Sequence, residues 1–222
     1  MRFLITGSQG RMGRSIIEQL ENSEMSFLEI NRNAPLEKVS PQKGDVIIDF
    51  TQPEYFSQAL SWAQIKGVAF VSGTTDLKKS HFDQLDEAAK NIPVLWAPNM
   101  SLGITVMNNL IKMLGQVSDK FDFQLEEFHH NKKKDKPSGT AKFLQKTMNE
   151  VAGREMPEIL AGRGGGIFGI HKLWMMSDEE TLTIEHTALN RDVFAKGAII
   201  CAEWILEPVS YTHLTLPTIC SV

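Results

Sequence analysis

The chain opens with a short apolar run, Phe3–Thr6, then Gly7-Ser8-Gln9-Gly10-Arg11-Met12-Gly13, then an amphipathic stretch with Ile16, Ile17 and Leu20. Strand, glycine turn and helix in that order constrain the fold more than any other feature. Glycines let a backbone approach a pyrophosphate, and the helix N-terminus faces it with free N–H groups. The spacing is GxxGxxG, a variant of the dinucleotide-binding turn. Arg11 and Arg14 add positive charge beside it. The unit then repeats. Phe27–Ile30 reads as a second strand, Asp45–Phe50 as a strand buried on both faces, and Val68–Val71 and Val94–Ala97 as two more. Pro53 opens a helical pattern that Gly67 closes, and Phe82, Leu85 and Ala89 mark another. Such alternation predicts a parallel α/β sheet with right-handed crossovers.

After about residue 100 the pattern changes. Leu102–Val117 reads as a long helix and Phe121–Phe128 as an alternating strand with one face exposed. Ala141–Val151 is amphipathic, residues 153–168 are glycine-rich without a period, His171–Met176 and Thr181–Thr187 read as antiparallel strands, and Ala195–Leu206 as a closing helix. The expected fold class is α/β: a Rossmann-like parallel-sheet nucleotide domain, residues 1–100 plus about 196–222, and an α+β domain, residues 101–195, for substrate and oligomerisation.

The formal net charge of −4 over 222 residues argues against general affinity for nucleic acid. No apolar run is long enough to span a bilayer, and the N-terminus lacks the form of a signal peptide. Two cysteines, Cys201 and Cys220, form no CxxC pair, so neither a disulfide framework nor a structural zinc site is expected. A cytoplasmic protein that contacts neither membrane nor nucleic acid follows from these features.

Three turns after strands are candidate cofactor contacts. Gly7, Ser8, Gln9, Gly10, Arg11 and Met12 form the first; Gly73, Thr74 and Thr75 follow the fourth strand; Ala97, Pro98, Asn99 and Met100 follow the fifth. All belong at the carboxyl edge of a parallel sheet, where open α/β folds bind ligands. At the end of the second strand, where an acidic residue selects NAD and an arginine accepts the extra phosphate of NADP, stand Arg32 and Asn33. This leans towards NADP.

The stretch Glu126–Ala141 reads EEFHHNKKKDKPSGTA. A solvated charge run accounts for Lys132–Lys136, but not for His129 and His130 at a strand end. A metal site is poorly supported, since adjacent strand residues face opposite ways and no i,i+4 ligand pair accompanies them. The remaining reading is a site that binds anions and donates a proton. Ser138-Gly139-Thr140 at a helix start offers N–H groups and hydroxyls to a carboxylate, a histidine can give up a proton near neutral pH, and a lysine supplies fixed positive charge.

This stretch resembles the signature of the 4-hydroxy-tetrahydrodipicolinate reductase (dihydrodipicolinate reductase) family, E-x-H-H-x-x-K-x-D-x-P-S-G-T-A, at each fixed position. GSQGRMG, VIIDFTQPE, VSGTT, APNMSLG and HTALNRDVFAKGAI resemble further family segments, in family order, across most of residues 1–207. The resemblance implies reduction of a cyclic imine dicarboxylate of lysine and diaminopimelate biosynthesis by NADH or NADPH, in a homotetramer. It implies His129 as proton donor and Lys133 as its catalytic partner. It assigns substrate binding to His130, Ser138, Gly139 and Thr140, and nucleotide contacts to the three turns; Arg191 adds charge near the substrate. Lys132, Lys134 and Lys136 match no fixed position and keep the reading of a solvated run.

Two departures stand out. The segment between Ile30 and Asp45 is short. After Glu207 the chain reads PVSYTHLTLPTICSV, with no Lys, Arg, Asp or Glu and no helical period. That end is expected to be non-native, leaving Cys220 without a role, and it raises an alternative: a catalytically impaired nucleotide-binding protein of the same fold. The runner-up among enzymes is another two-domain dehydrogenase, of aspartate-semialdehyde or homoserine type; the first is disfavoured, because it needs a catalytic cysteine near mid-chain and both cysteines here are late.

Overall fold

The computed structural model describes residues 1–207; the stretch expected to be non-native, Cys220 included, lies outside the described residues. The described residues divide into two compact units, Met1–Met100 with the segment Phe194–Glu207, and Ser101–Val193.

The first unit is a parallel sheet in the order β2-β1-β3-β4-β5, formed by β1 (Arg2–Thr6), β2 (Phe27–Ile30), β3 (Asp45–Asp49), β4 (Ala69–Ser72) and β5 (Val94–Trp96). Every residue of β3 and β4 is buried, as a strand covered on both faces demands. Alternate side chains supply two cores. Phe3, Ile5, Val46, Ile48 and Val71 pack with α1 (Arg11–Asn22) and α6 (Asp192–Leu206). Leu4, Ile47 and Phe70 pack with α2 (Pro53–Lys66) and α3 (Lys79–Ala89). The result is helices on both faces of a doubly wound sheet. Pro53 stands at the first turn of α2, and Gly67 ends it in the left-handed region at φ +67°.

The second unit has a four-stranded sheet in the order β7-β6-β8-β9: β6 (Asp122–His129), β7 (Leu160–Arg163), β8 (Gly169–Met176) and β9 (Thr181–Ala188). Phe123, Leu125, Leu173 and Met175 turn inward against α4 (Leu102–Leu114) and α5 (Gly139–Ala152). Two details differ from the sequence expectation. The long helix stops at Leu114, and a 3₁₀ segment, Gly115–Lys120, continues it. A Cβ at Gly115 would stand 2.8 Å from the Val151 side chain, so the chain tightens there to clear α5. The glycine-rich stretch also contains β7, which pairs in parallel with the end of β6. Its four residues, LAGR, carry no period of their own; the neighbouring strand makes them a strand.

Candidate active site

The glycine turn closes on itself: the Gly10 N–H donates to the Gly7 carbonyl at 2.8 Å, and Gly7 sits at φ +67°, where an L side chain is strained. A Cβ at Gly13 would lie 2.3 Å from the Gly7 carbonyl oxygen, so the helix start packs directly on the turn. Around it opens a cavity of about 800 Å³ lined by Gly7–Met12, by Phe50 and Thr51 after β3, and by Asn31 and Arg32 after β2. This is the point between β1 and β3 where strand order reverses, the usual ligand position in a sheet of this order. The backbone donors, the glycines and Arg11 and Arg32 fit a dinucleotide, with its pyrophosphate at the N-terminus of α1.

Asn33, Gly73–Thr75 and Ala97–Met100 do not line that cavity. Asn33 belongs to a small turn in which Asn31 Oδ1 accepts from the Asn33 and Ala34 N–H groups. Asn31, unsuspected in the sequence, therefore shapes the turn after β2 at the cavity wall and also reaches Ser8 Oγ at 3.4 Å. The turn after β4 is held by a hub that sequence reasoning missed. The fully buried Asp49 carboxylate accepts hydrogen bonds from Thr6, Thr51, Ser72 and Thr74, all at 2.7–2.8 Å. Four hydroxyls satisfy the charge that burial would otherwise make costly, and they tie three sheet-edge turns together. A Cβ at Gly73 would overlap the ring of Phe50, a wall of the cavity. Ala97 and Met100 pack against α6 in the core.

In the second unit, β6 turns Glu127 and His129 to the same buried face, as a period of two requires. Glu127 is fully buried. Its Oε1 accepts from Arg163 Nη2 at 2.8 Å and from the Ser138 N–H at 3.2 Å, and its Oε2 meets His129 Nδ1. Burial alone would push the Glu127 carboxyl up, but the hydrogen bonds from Arg163 and His129 outweigh it and hold the group below the ordinary carboxylate range. Burial pushes His129 down, and Glu127 offsets part of that. Arg163 Nη2 also donates to the Asp135 carbonyl at 2.6 Å, fastening the lysine-rich loop to the sheet.

The four lysines of that loop separate. Lys133 is partly buried and its Nζ lies 2.8 Å from Asp135 Oδ1, whereas Lys132, Lys134 and Lys136 are exposed. Ser138 caps α5: its Oγ accepts from the Ala141 N–H at 3.2 Å and lies 3.3 Å from His171 Nε2. Gly139 and Thr140 form the first turn of that helix, where backbone N–H groups have no intrahelical acceptor. His130 follows the end of β6 and is partly buried. Arg191 lies over the Phe168 ring, 5.5 Å from its centroid.

Strand register completes the site with residues the sequence did not single out. Arg163 pairs with His129, His171 with Glu127, and His186 with His171, so one polar row crosses all four strands. The His129 and His171 rings meet edge to face at 5.2 Å between centroids. The caps of both helices touch this row, Ser138 at His171 and Ser101 at His186, the latter at 3.1 Å. The one signal available in the sequence was Glu127, two residues before His129 and hence on its face. Among the described residues no group of three or more metal-ligating side chains is suited to a metal ion, and no helix is long and apolar enough to cross a membrane.

The family model for the dihydrodipicolinate reductase N-terminus matches residues 23–100, and that for the C-terminus matches residues 103–215. A 4-hydroxy-tetrahydrodipicolinate reductase of Bdellovibrio bacteriovorus is 47% identical over 206 residues, covering 91% of this chain and 89% of that one. One from Rickettsia rickettsii is 34% identical over 224 residues, covering 93% of each. Among solved structures, a dipicolinate-bound dihydrodipicolinate reductase from Paenisporosarcina aligns with a TM-score of 0.73 at 21% identity, over 93% of this chain and 94% of that one. An amine dehydrogenase from Mycobacterium smegmatis reaches 0.62 at 10% identity, over 94% and 93%. The fold is thus shared among dehydrogenases of different substrates, and the sequence relatives narrow it.

Proposed function

The chain belongs to the dihydrodipicolinate reductase family, and we infer that His129 and Lys133 carry its chemistry. The activity is NAD(P)H-dependent reduction of 4-hydroxy-tetrahydrodipicolinate to tetrahydrodipicolinate, a step in diaminopimelate and lysine biosynthesis. The relatives give no support to the catalytically impaired alternative. Gly7–Met12 and Arg32 hold the dinucleotide, the first unit serves as its domain, and Gly73–Thr75 and Ala97–Met100 approach its nicotinamide end. The bound nicotinamide supplies hydride to C4 of the conjugated imine left when the 4-hydroxyl departs as water.

The second unit binds the substrate. One carboxylate sits at the N-terminus of α5 against Gly139 and Thr140, with His130 as a further donor and Ser138 shaping the turn. Negative charge develops across the enamine as C4 is reduced. Lys133 stabilises it, and His129 protonates the neighbouring carbon. The observation that carries this reading is the contrast within one short stretch: His129 at the end of β6 and Lys133 in the loop after it are drawn in and paired to carboxylates while the neighbouring lysines face solvent.

One titration tests activity and cofactor preference together. Given freshly generated substrate, the protein oxidises both NADPH and NADH. Arg32→Gln raises KM for NADPH about tenfold, the worth of one charge-assisted contact, and leaves KM for NADH nearly unchanged. Absence of turnover with either cofactor sinks the functional assignment, and equal effects on both remove Arg32 from phosphate recognition.

The protein works in the cytoplasm as a homotetramer assembled through the sheet of the second unit. The face of that sheet opposite His129 leaves Phe128 and Leu160 43% and 52% exposed, apolar surface that a monomer gains by covering. Light scattering gives four chain masses; a monodisperse monomer sinks this assembly.

A further inference from the structure

We propose that Glu127 is the positioning residue for His129, fixing its neutral tautomer with the proton on Nδ1 and so reserving Nε2 for the proton passed to substrate. The inference rests on the reading of His129 as proton donor. Four features of the second unit carry it. Glu127 and His129 are two apart on β6, and Glu127 Oε2 meets His129 Nδ1, so that nitrogen is engaged by protein. The carboxylate cannot turn away, because Arg163 and the Ser138 N–H hold Oε1. Arg163 is itself tied to the Asp135 carbonyl, in the loop that carries Lys133. At the other end of the ring, a Cβ at residue 169 would stand 3.0 Å from His129 Nε2; Gly169 has none, so the space beside Nε2 stays clear.

A histidine that donates a proton must be charged beforehand and must present the proton at the correct nitrogen. An anionic partner at Nδ1 meets both needs: it favours the imidazolium, and it leaves Nε2–H as the proton aimed outward. The other charged or titratable groups facing the ring act in the opposite sense. Lys133 from the loop and Arg163 from β7 disfavour its charging, and His171 from β8 lies against it edge to face. Glu127 is the acidic group set against them. It protonates nothing on the substrate and stays ionised throughout.

The test uses the whole protein and three readouts. In the parent, long-range ¹⁵N–¹H NMR, with His129 assigned by its loss in His129→Gln, is expected to show Nδ1–H and a bare Nε2 above the titration midpoint. An Nε2–H tautomer overturns the proposal, and this reading needs no variant to fold. In Glu127→Gln, kcat at neutral pH falls ~10²-fold or more with little change in KM, as loss of a carboxylate that orients a catalytic imidazole does. The alkaline limb of the kcat–pH profile, which reports loss of the proton from His129, moves to lower pH. Glu127→Asp, which keeps the charge at shorter reach, recovers part of kcat and returns the limb towards its original position. A folded Glu127→Gln with parental kcat and an unmoved limb overturns the proposal, as does a loss confined to KM. His129→Gln in the same assay separates the two levels. If it is inactive while Glu127→Gln is unimpaired, only the positioning role fails; if it retains full turnover, the parent reading fails first.

Discussion

His129→Gln lowers kcat by ~10²–10⁴-fold, the range a positioned general acid contributes, and leaves KM for the nicotinamide cofactor close to its parental value. Glutamine occupies similar volume, and its amide N–H can donate to Glu127 Oε2 where His129 Nδ1 now meets that oxygen. The buried carboxylate is therefore not left without a partner, and the fold has no reason to fail. What glutamine cannot do is give up a proton, so the enamine formed on reduction waits for water or reverts. The cofactor cavity, lined by the glycine turn and its neighbours in the first unit, does not include residue 129. Loss of nicotinamide absorbance under saturating substrate measures the drop. Turnover within a few-fold of the parent removes His129 from its role, and a rise in KM with kcat intact makes it a binding residue instead.

How much of this was legible in the sequence depends on where the determining contacts lie along the chain. The parallel sheet declared itself because each strand buried on both faces is a continuous apolar run, as in Asp45-Val-Ile-Ile-Asp49, set off by turn residues. Helix ends at Pro53, Gly67 and Ser138 followed from local chemistry. β7 did not, because Leu160-Ala-Gly-Arg163 becomes a strand only by pairing with Glu126–His129. The site divides in the same way. His129, Lys133 and Ser138–Thr140 fall within one short stretch of sequence, from the end of β6 to the start of α5, and share a motif. Arg163, His171 and His186 reach the same face only through register across four strands. Asp49 looked like the charged end of a strand. Its role depends on hydroxyls contributed from Thr6 to Thr74, and spacing along the chain does not announce such a hub.

Acid destabilises the protein from about pH 6.5 downward, before its surface carboxylates are protonated. The cause is the histidine row. Burial, and next the nearby charge of His129, push His171 from 6.5 down to about 3; burial likewise lowers His129 and His186. In the folded chain His171 stays neutral where the unfolded chain would protonate it, and His129 and His186 charge less readily than they would unfolded. Below pH 6.5 unfolding therefore takes up protons, and falling pH favours it. The stability tied to His171 is fully present above 6.5 and is lost progressively until the pH passes its folded value. At roughly 1.4 kcal/mol per pH unit for one proton, His171 alone removes about 3 kcal/mol by pH 4, a large share of a typical domain's margin. Glu127 acts in the same direction at lower pH, since its carboxyl is held below the ordinary range and must be protonated late. Urea unfolding followed between pH 7.5 and 4.5 measures the slope. His171→Gln, which keeps a hydrogen-bonding group near Ser138 but cannot charge, is less stable than the parent at pH 7.5 and has a shallower dependence. Parallel curves for the two proteins would clear His171 of the effect, and a parent whose stability is flat across that window would show that the row accepts protons while folded.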